Sequence, residues 1–259
     1  MLKRNLAVAV LFALSLAVPA LAQSTGDVSI INTHTPKSGS GEKYEAARKR
    51  HMAWHKAQKD AWTWYTWEIV SGEASGSYYT ASFGHAWKDF DAKEAFEKAD
   101  NADFDKGIGP TLGRAFTSYY VRRADLSLSP PSASPPSAYS VLTFFQLKPE
   151  AVNDFLETVK KINEGIKKTN YRQQGPSAFY QLVNGGEGPM YVLAGSRENW
   201  AAFAPNEKTL DQMMEEAYGK EQGATILAKG RNAIRSSRTE TIKYRPDLSY
   251  EAPKATASR

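Results

Sequence analysis

One stretch of this chain occurs twice, and a duplicated stretch restricts the fold to one whose two halves share an architecture. The first copy, YYTASFGHAWKDFDAKE, runs from Tyr78 to Glu94, and the second, YVLAGSRENWAAFAPNE, from Tyr191 to Glu207. At one constant spacing Ala81 answers to Ala194, Trp87 to Trp200 and Phe90 to Phe203, and His34-Thr35-Pro36 falls against Leu147-Lys148-Pro149. Asp125-Leu126-Ser127 returns as Asp247-Leu248-Ser249 at a longer spacing, so the second copy gains residues near its end.

The hydrophobic periods give each copy the same element order. In the first half, Val28 to His34 alternates as a strand. Glu42 to Lys59 lacks Gly and Pro and carries the stripe Tyr44, Ala47, His51, Trp54 of a helix. Strands follow at Trp62 to Val70 and Tyr78 to Phe83, a helix at Trp87 to Ala99, and a strand at Phe116 to Arg123. In the second half, Tyr139 to Leu147 is a strand, and Pro149 opens a helix to Lys168 with Val152, Phe155, Leu156, Val159, Ile162 and Ile166 on one face. Strands at Ser177 to Val183 and Met190 to Ala194, helices at Trp200 to Phe203, Glu207 to Tyr218 and Gln222 to Ile234, and a strand at Thr239 to Tyr244 complete it.

Each half therefore reads β-α-β-β-α-β, an α+β unit with helices on one face of an antiparallel sheet. The other sheet face needs a cover, and the second copy supplies it, leaving a barrel or sandwich between the halves. The chain divides into an export segment (1–22), a first repeat (23–127), a Pro/Ser-rich connector (128–138), a second repeat (139–249) and a loose tail (250–259). The connector is marked by SLSPPSASPPS, a semi-rigid extended composition.

With this element order, the duplication and the Trp-x-x-Phe after the third strand of each half (Trp87-Phe90, Trp200-Phe203), the sequence resembles the dimeric alpha-beta barrel superfamily. That superfamily includes antibiotic-biosynthesis monooxygenase-like proteins, haem-degrading oxygenases and the NIPSNAP- and EthD-like groups. The resemblance implies two ferredoxin-like repeats packed sheet-to-sheet as a pseudo-dimeric alpha-beta barrel. It also implies, as one reading, oxygenase-like chemistry, either with haem or without a cofactor.

Lys3 and Arg4, the apolar run Leu6 to Leu16, and Ala20-Leu21-Ala22 before Gln23 form a Sec-type signal, so the expected location is periplasmic or secreted, with no transmembrane segment once the signal is removed. Cleavage lowers by two a formal charge of only +5, and the basic residues are dispersed, which argues against nucleic acid as a partner. The chain has no cysteine, which excludes disulfides, thiolate nucleophiles and cysteine-ligated metals.

Chemistry is expected in the first half. All four histidines (His34, His51, His55, His85) and Trp54, Trp62, Trp64, Trp67 and Trp87 lie there. Tyr65, Trp67 and Ile69 match Ala178, Tyr180 and Leu182, apolar in both copies, so that face is expected under the helices. Thr66 and Glu68 are then expected to look into the space between the sheets, with an aromatic-walled site for a small apolar or aromatic ligand. His34, Trp64, Glu68, His85 and Arg123 are the candidate ligand-binding residues, with Arg123 the partner of Glu68. Under the resemblance His34 or His85 would be the axial ligand of a haem. His51 and His55 are four apart on a helix and could share a metal, but no carboxylate at fixed spacing completes a triad, so no metal site is assigned and His51 is read as structural.

Overall fold

The computed structural model describes residues 26–130 and 135–253. Residues 1–25, which include the segment expected to direct export, residues 131–134 of the connector and residues 254–259 of the tail lie outside the described residues.

The first half comprises β1 (Val28–Pro36), α1 (Gly41–Ala57), β2 (Tyr65–Ser71), β3 (Tyr78–His85), α2 (Trp87–Gly107) and β4 (Leu112–Arg123). The second comprises β5 (Tyr139–Leu147), α3 (Val152–Thr169), β6 (Ser177–Asn184), β7 (Met190–Arg197), α4 (Leu210–Tyr218), α5 (Lys220–Ala233) and β8 (Ile234–Tyr244). Element order agrees with the sequence reading, but α2 and the outer strands β4 and β8 extend further than the apolar periods suggest. The added residues of the second half lie where α4 and α5 replace the single helix α2, after a short 3-10 turn at Trp200–Phe203.

All strand pairs are antiparallel, and they close into a barrel in the order β1-β3-β2-β8-β5-β7-β6-β4. Each half contributes a four-stranded sheet. The two sheets join edge to edge where Glu68 faces Lys243 across β2 and β8, and where Val121 faces Gln181 across β4 and β6. Closure satisfies backbone donors and acceptors that would be left open at the edges of either sheet alone.

The helices cover the outside. α3 is strongly amphipathic and buries Phe155 and Val159 against Leu147, Phe179 and Tyr191. Its Gly165 lets Met213 and Met214 of α4 approach closely, and Asn170 ends it in the left-handed region that asparagine tolerates (φ 49°). α1 differs: its buried face carries Arg48, His51 and His55 beside Tyr44 and Met52.

The repeated Arg-x-Asp-Leu-Ser segments after β4 and β8 cross reciprocally between the halves. Arg123 forks onto Asp125 (2.9 and 2.8 Å) and Arg245 onto Asp247 (2.9 and 3.0 Å). Leu126, from the end of the first half, sits in the core under α3. Leu248, from the end of the second, sits with Tyr44, Tyr78 and Ile108 in the first. Ser127 Oγ accepts from Phe179 N and Ser249 Oγ from Thr66 N, both at 2.9 Å. The chain beyond β8 is not loose at its start, contrary to the expectation for 250–259. Tyr250 pairs with Trp64 through two 2.8 Å backbone hydrogen bonds, and its hydroxyl donates to the Asp60 carbonyl at 2.7 Å.

Candidate functional site

Strand alternation sorts the barrel residues into an inner and an outer set. The inner set encloses a cavity of about 500 Å³. Its walls include Tyr65 and Trp67 of β2, Tyr79 and Phe83 of β3, Tyr120 of β4, Phe144 of β5 and Tyr180 of β6. Arg238 lies 3.6 Å from the centre of the Phe144 ring and pairs with the buried Glu240 at 2.8 Å, and Glu240 accepts from Tyr79 at 2.6 Å. Burial and that carboxylate both push the Tyr79 phenol up, so it stays a neutral donor. Ser129, Pro130 and Pro135 to Ser137 of the connector also line the cavity.

This reverses the expected faces of β2. Tyr65, Trp67 and Ile69 turn into the barrel, where Trp67 and Ile69 pack with Ala81 and Ile242. Thr66 and Glu68 turn outward under the helices. The reason lies in α1: its underside is polar, so the polar strand face meets it, while the apolar face meets its counterpart across the barrel. Thr66 Oγ1 accepts from Arg48 at 3.2 Å and donates to the Leu248 carbonyl at 2.7 Å.

The five candidate residues therefore lie outside the barrel wall. Glu68 pairs with Arg245 at 3.0 Å, together with Glu45 and Asp247. Arg123, expected as its partner, instead binds Asp125 and Gln181. His85 accepts or donates to Ser82 Oγ at 2.7 Å and stacks 3.6 Å over Trp62. Burial, with the charge of Lys93, lowers its pKa to about 4. His34 and Trp64 do share a space, a second cavity of about 240 Å³ between the sheet and helices α1 and α2. His34 Nδ1 lies 3.0 Å from the Tyr44 hydroxyl, and burial, with Arg48 and His51 nearby, lowers its pKa to about 3. It is a neutral, structurally engaged ring.

Arg48, His51, His55, Thr80 and Asp100 line this second cavity as well. Asp60, almost fully buried, anchors its floor: it accepts from Lys93 (2.8 and 3.0 Å), Trp64 Nε1 (3.0 Å), the Trp62 amide (3.0 Å) and His55 Nδ1 (2.9 Å). Burial pushes the Asp60 carboxyl up, but the bonds from His55 and Lys93 outweigh it and hold the group ionised. Asp103 accepts from Arg50 at 2.8 Å and lies 2.7 Å from His51 Nδ1. Against burial, these two bonds hold its carboxyl below the usual range. His51, His55 and Asp100 bring three ligand-type atoms together. The sequence reading reached His51 and His55 and stopped for lack of a carboxylate. The fold supplies Asp100 from α2, the helix that packs beside α1 on the same sheet face. Asp100 and Asp103, three apart on that helix, were the signal that could have found it.

A histidine-ligated haem fits neither space. No histidine is among the residues lining the larger cavity. The histidine-bearing one, at about 240 Å³, is below the roughly 300–1,000 Å³ of ordinary ligand and cofactor clefts.

No family model matches the sequence, and no curated protein sequence matches it at a significant level. Solved structures do match in fold. An anthrone oxidase-like protein aligns over 90% of this chain and 96% of its own with a TM-score of 0.58 and 13% identity. A monooxygenase-like protein from Fusobacterium nucleatum aligns over 85% and 93% with a TM-score of 0.56 and 11% identity. The chlorite dismutase of Candidatus Nitrospira defluvii, in a mutant form, aligns over 87% and 93% with a TM-score of 0.54 and 9% identity. The chain has the dimeric alpha-beta barrel fold, with both ferredoxin-like units supplied by one polypeptide.

Proposed function

We propose that the chain is an exported protein that binds a small, largely apolar or aromatic molecule inside the barrel. The observation that carries this reading is the aromatic-walled cavity of about 500 Å³, a size suited to a small organic ligand. Arg238, Glu240 and the Tyr79 hydroxyl form one charged and hydrogen-bonded cluster beside the aromatic part of the wall, which would orient a ligand with a polar end. Export rests on the n-region, apolar run and small-x-small site of residues 1–22. Among the described residues no helix is long and apolar enough to cross a membrane.

The test is native mass spectrometry of the protein purified from the periplasm, together with titration of anilinonaphthalene sulfonate followed by fluorescence. Ala194, on the cavity wall, is replaced by Trp to fill the space. A retained or acquired small molecule, and dye binding lost in Ala194→Trp with an unchanged circular dichroism spectrum, support the reading. Dye binding equal in both proteins, with no retained mass, refutes it.

A second reading is oxygenase-like chemistry on the bound molecule, the activity named for the monooxygenase-like and anthrone oxidase-like neighbours. The lack of a histidine in the cavity wall favours the cofactor-free form, and oxygen uptake on adding an electron-rich phenol would separate it from binding alone.

A further inference from the structure

We propose that His51, His55 and Asp100 bind one divalent transition-metal ion of the zinc type, with a coordination position left open toward the cavity that Arg48 and His34 also line. The site lies outside the barrel wall and does not depend on the ligand-binding reading.

Three observations carry it. The first is spacing. His51 Nε2 lies 3.1 Å from Asp100 Oδ1, His55 Nε2 lies 3.4 Å from the same oxygen, and the two Nε2 atoms are 3.2 Å apart. Ligand atoms about 2.05 Å from a tetrahedral ion are about 3.3 Å from one another. An ion at that distance from all three atoms sits about 0.8 Å out of their plane, close to the tetrahedral value of about 0.7 Å.

The second is the arrangement around the ligands. Each imidazole meets a carboxylate through Nδ1, His51 at Asp103 (2.7 Å) and His55 at Asp60 (2.9 Å). An imidazole held to a carboxylate through Nδ1 turns its Nε2 the other way, and both Nε2 atoms here lie within 3.4 Å of the Asp100 oxygen. Carboxylates that fix ring orientation in this way are the usual outer partners of metal-binding histidines.

The third is the missing hydrogen bond. Asp100 Oδ1 is buried and has no hydrogen-bond partner, although two ring nitrogens lie within 3.4 Å. The two Nε2 atoms can share a proton with each other across 3.2 Å, but no donor is aligned with the Asp100 oxygen. A buried carboxylate oxygen facing two ring nitrogens with no aligned donor is left unsatisfied unless a cation lies among the three atoms. Both histidines are 2% exposed, so bulk water does not make good that lack. Thr80 Oγ1, in the same cavity, is likewise buried without a partner.

The experiment uses the full mature chain, stripped with a chelator and titrated with Co(II), and separately with Zn(II) against a competing chelator. One equivalent of Co(II) should give visible d–d bands of a four- or five-coordinate ion, and azide should shift them by occupying the open position. Asp100→Asn and His55→Gln should lower affinity by more than about 100-fold. Asp103→Asn, which touches no ion, should lower it about 10–100-fold. As a check that does not depend on the variants' spectra, one equivalent of Zn(II) should raise the melting temperature of the wild type and not that of Asp100→Asn. Absence of stoichiometric binding by the wild type, or equal affinity in wild type and Asp100→Asn, overturns the site. A Co(II) spectrum indifferent to azide overturns the open position.

Discussion

Leu248 lies beyond the last strand of the second half, yet it is fully buried among Tyr44, Tyr78 and Ile108 of the first. Leu248→Ala removes the side chain from a site that cannot easily collapse. The Leu248 carbonyl is held by Thr66 Oγ1 at 2.7 Å and Arg48 Nε at 3.3 Å, and its neighbours are large rings. Leu→Ala changes in closed cores cost about 2.7–5.0 kcal/mol, rising with the cavity that remains, so the rigid setting places this one at about 3–5 kcal/mol. Leu126, 1% exposed under α3, is its counterpart and should cost as much. The two sites occupy different cores, so their effects should add. The double variant would then lose about 6–10 kcal/mol against a usual total of about 5–15 kcal/mol. Urea unfolding followed by tryptophan fluorescence and by far-ultraviolet circular dichroism measures this. Five of the six tryptophans precede the connector, so fluorescence reports the first half and dichroism the whole. Because β2 pairs with β8 and β4 with β6, the two signals should move together, with the slope unchanged, in each single variant. A cost under about 1 kcal/mol, or a fluorescence transition that shifts while dichroism splits in two, would refute the reciprocal packing argument.

Acid should destabilise the protein before its carboxylates titrate. Folded His85 titrates near 4 and His34 near 3, against about 6.5 in the unfolded chain. The unfolded state therefore binds more protons as pH falls, and stability present above about 6.5 is lost from there down to about 4 for His85 and about 3 for His34. Each histidine contributes a slope of up to about 1.4 kcal/mol per pH unit, and His85→Gln should flatten the curve between pH values of about 6 and 4.5 by one such share; an unchanged slope in urea midpoints contradicts this. Asp60→Asn should cost about 3–5 kcal/mol, because it strands the Lys93 ammonium, 7% exposed, without its carboxylate. Adding Lys93→Met should restore at least half of that loss in thermal or urea unfolding, and no restoration would mean that Lys93 is not the charge being neutralised.

The duplication made the fold legible. Paired positions such as Trp87 and Trp200 force a shared architecture, and α3, with its clean apolar stripe, showed both its limits and its buried face. Apolar character in both copies of β2 points to contact with helices, and the structure inverts that expectation. In a closed barrel the apolar side faces inward, and only the polar underside of α1, with Arg48, His51 and His55, reveals this. Arg48 offered no signal at all in the sequence, since a buried guanidinium looks like any surface arginine until Thr66 and the Leu248 carbonyl are placed beside it. Asp100 offers only its three-residue spacing from Asp103, because its relation to His51 and His55 exists only across two packed helices.

The connector carries a consequence of its own. Ser129, Pro130 and Pro135 to Ser137 stand in the wall of the barrel's interior, so the tether that joins the repeats also roofs one end of the space they enclose. Two separate polypeptides closing the same barrel would have no such cover, and that mouth would stand open. Fusion has thus made the described ends of a spacer part of the cavity wall. A substitution at Pro130, Pro135 or Pro136 would therefore reshape that part of the space without touching a single strand.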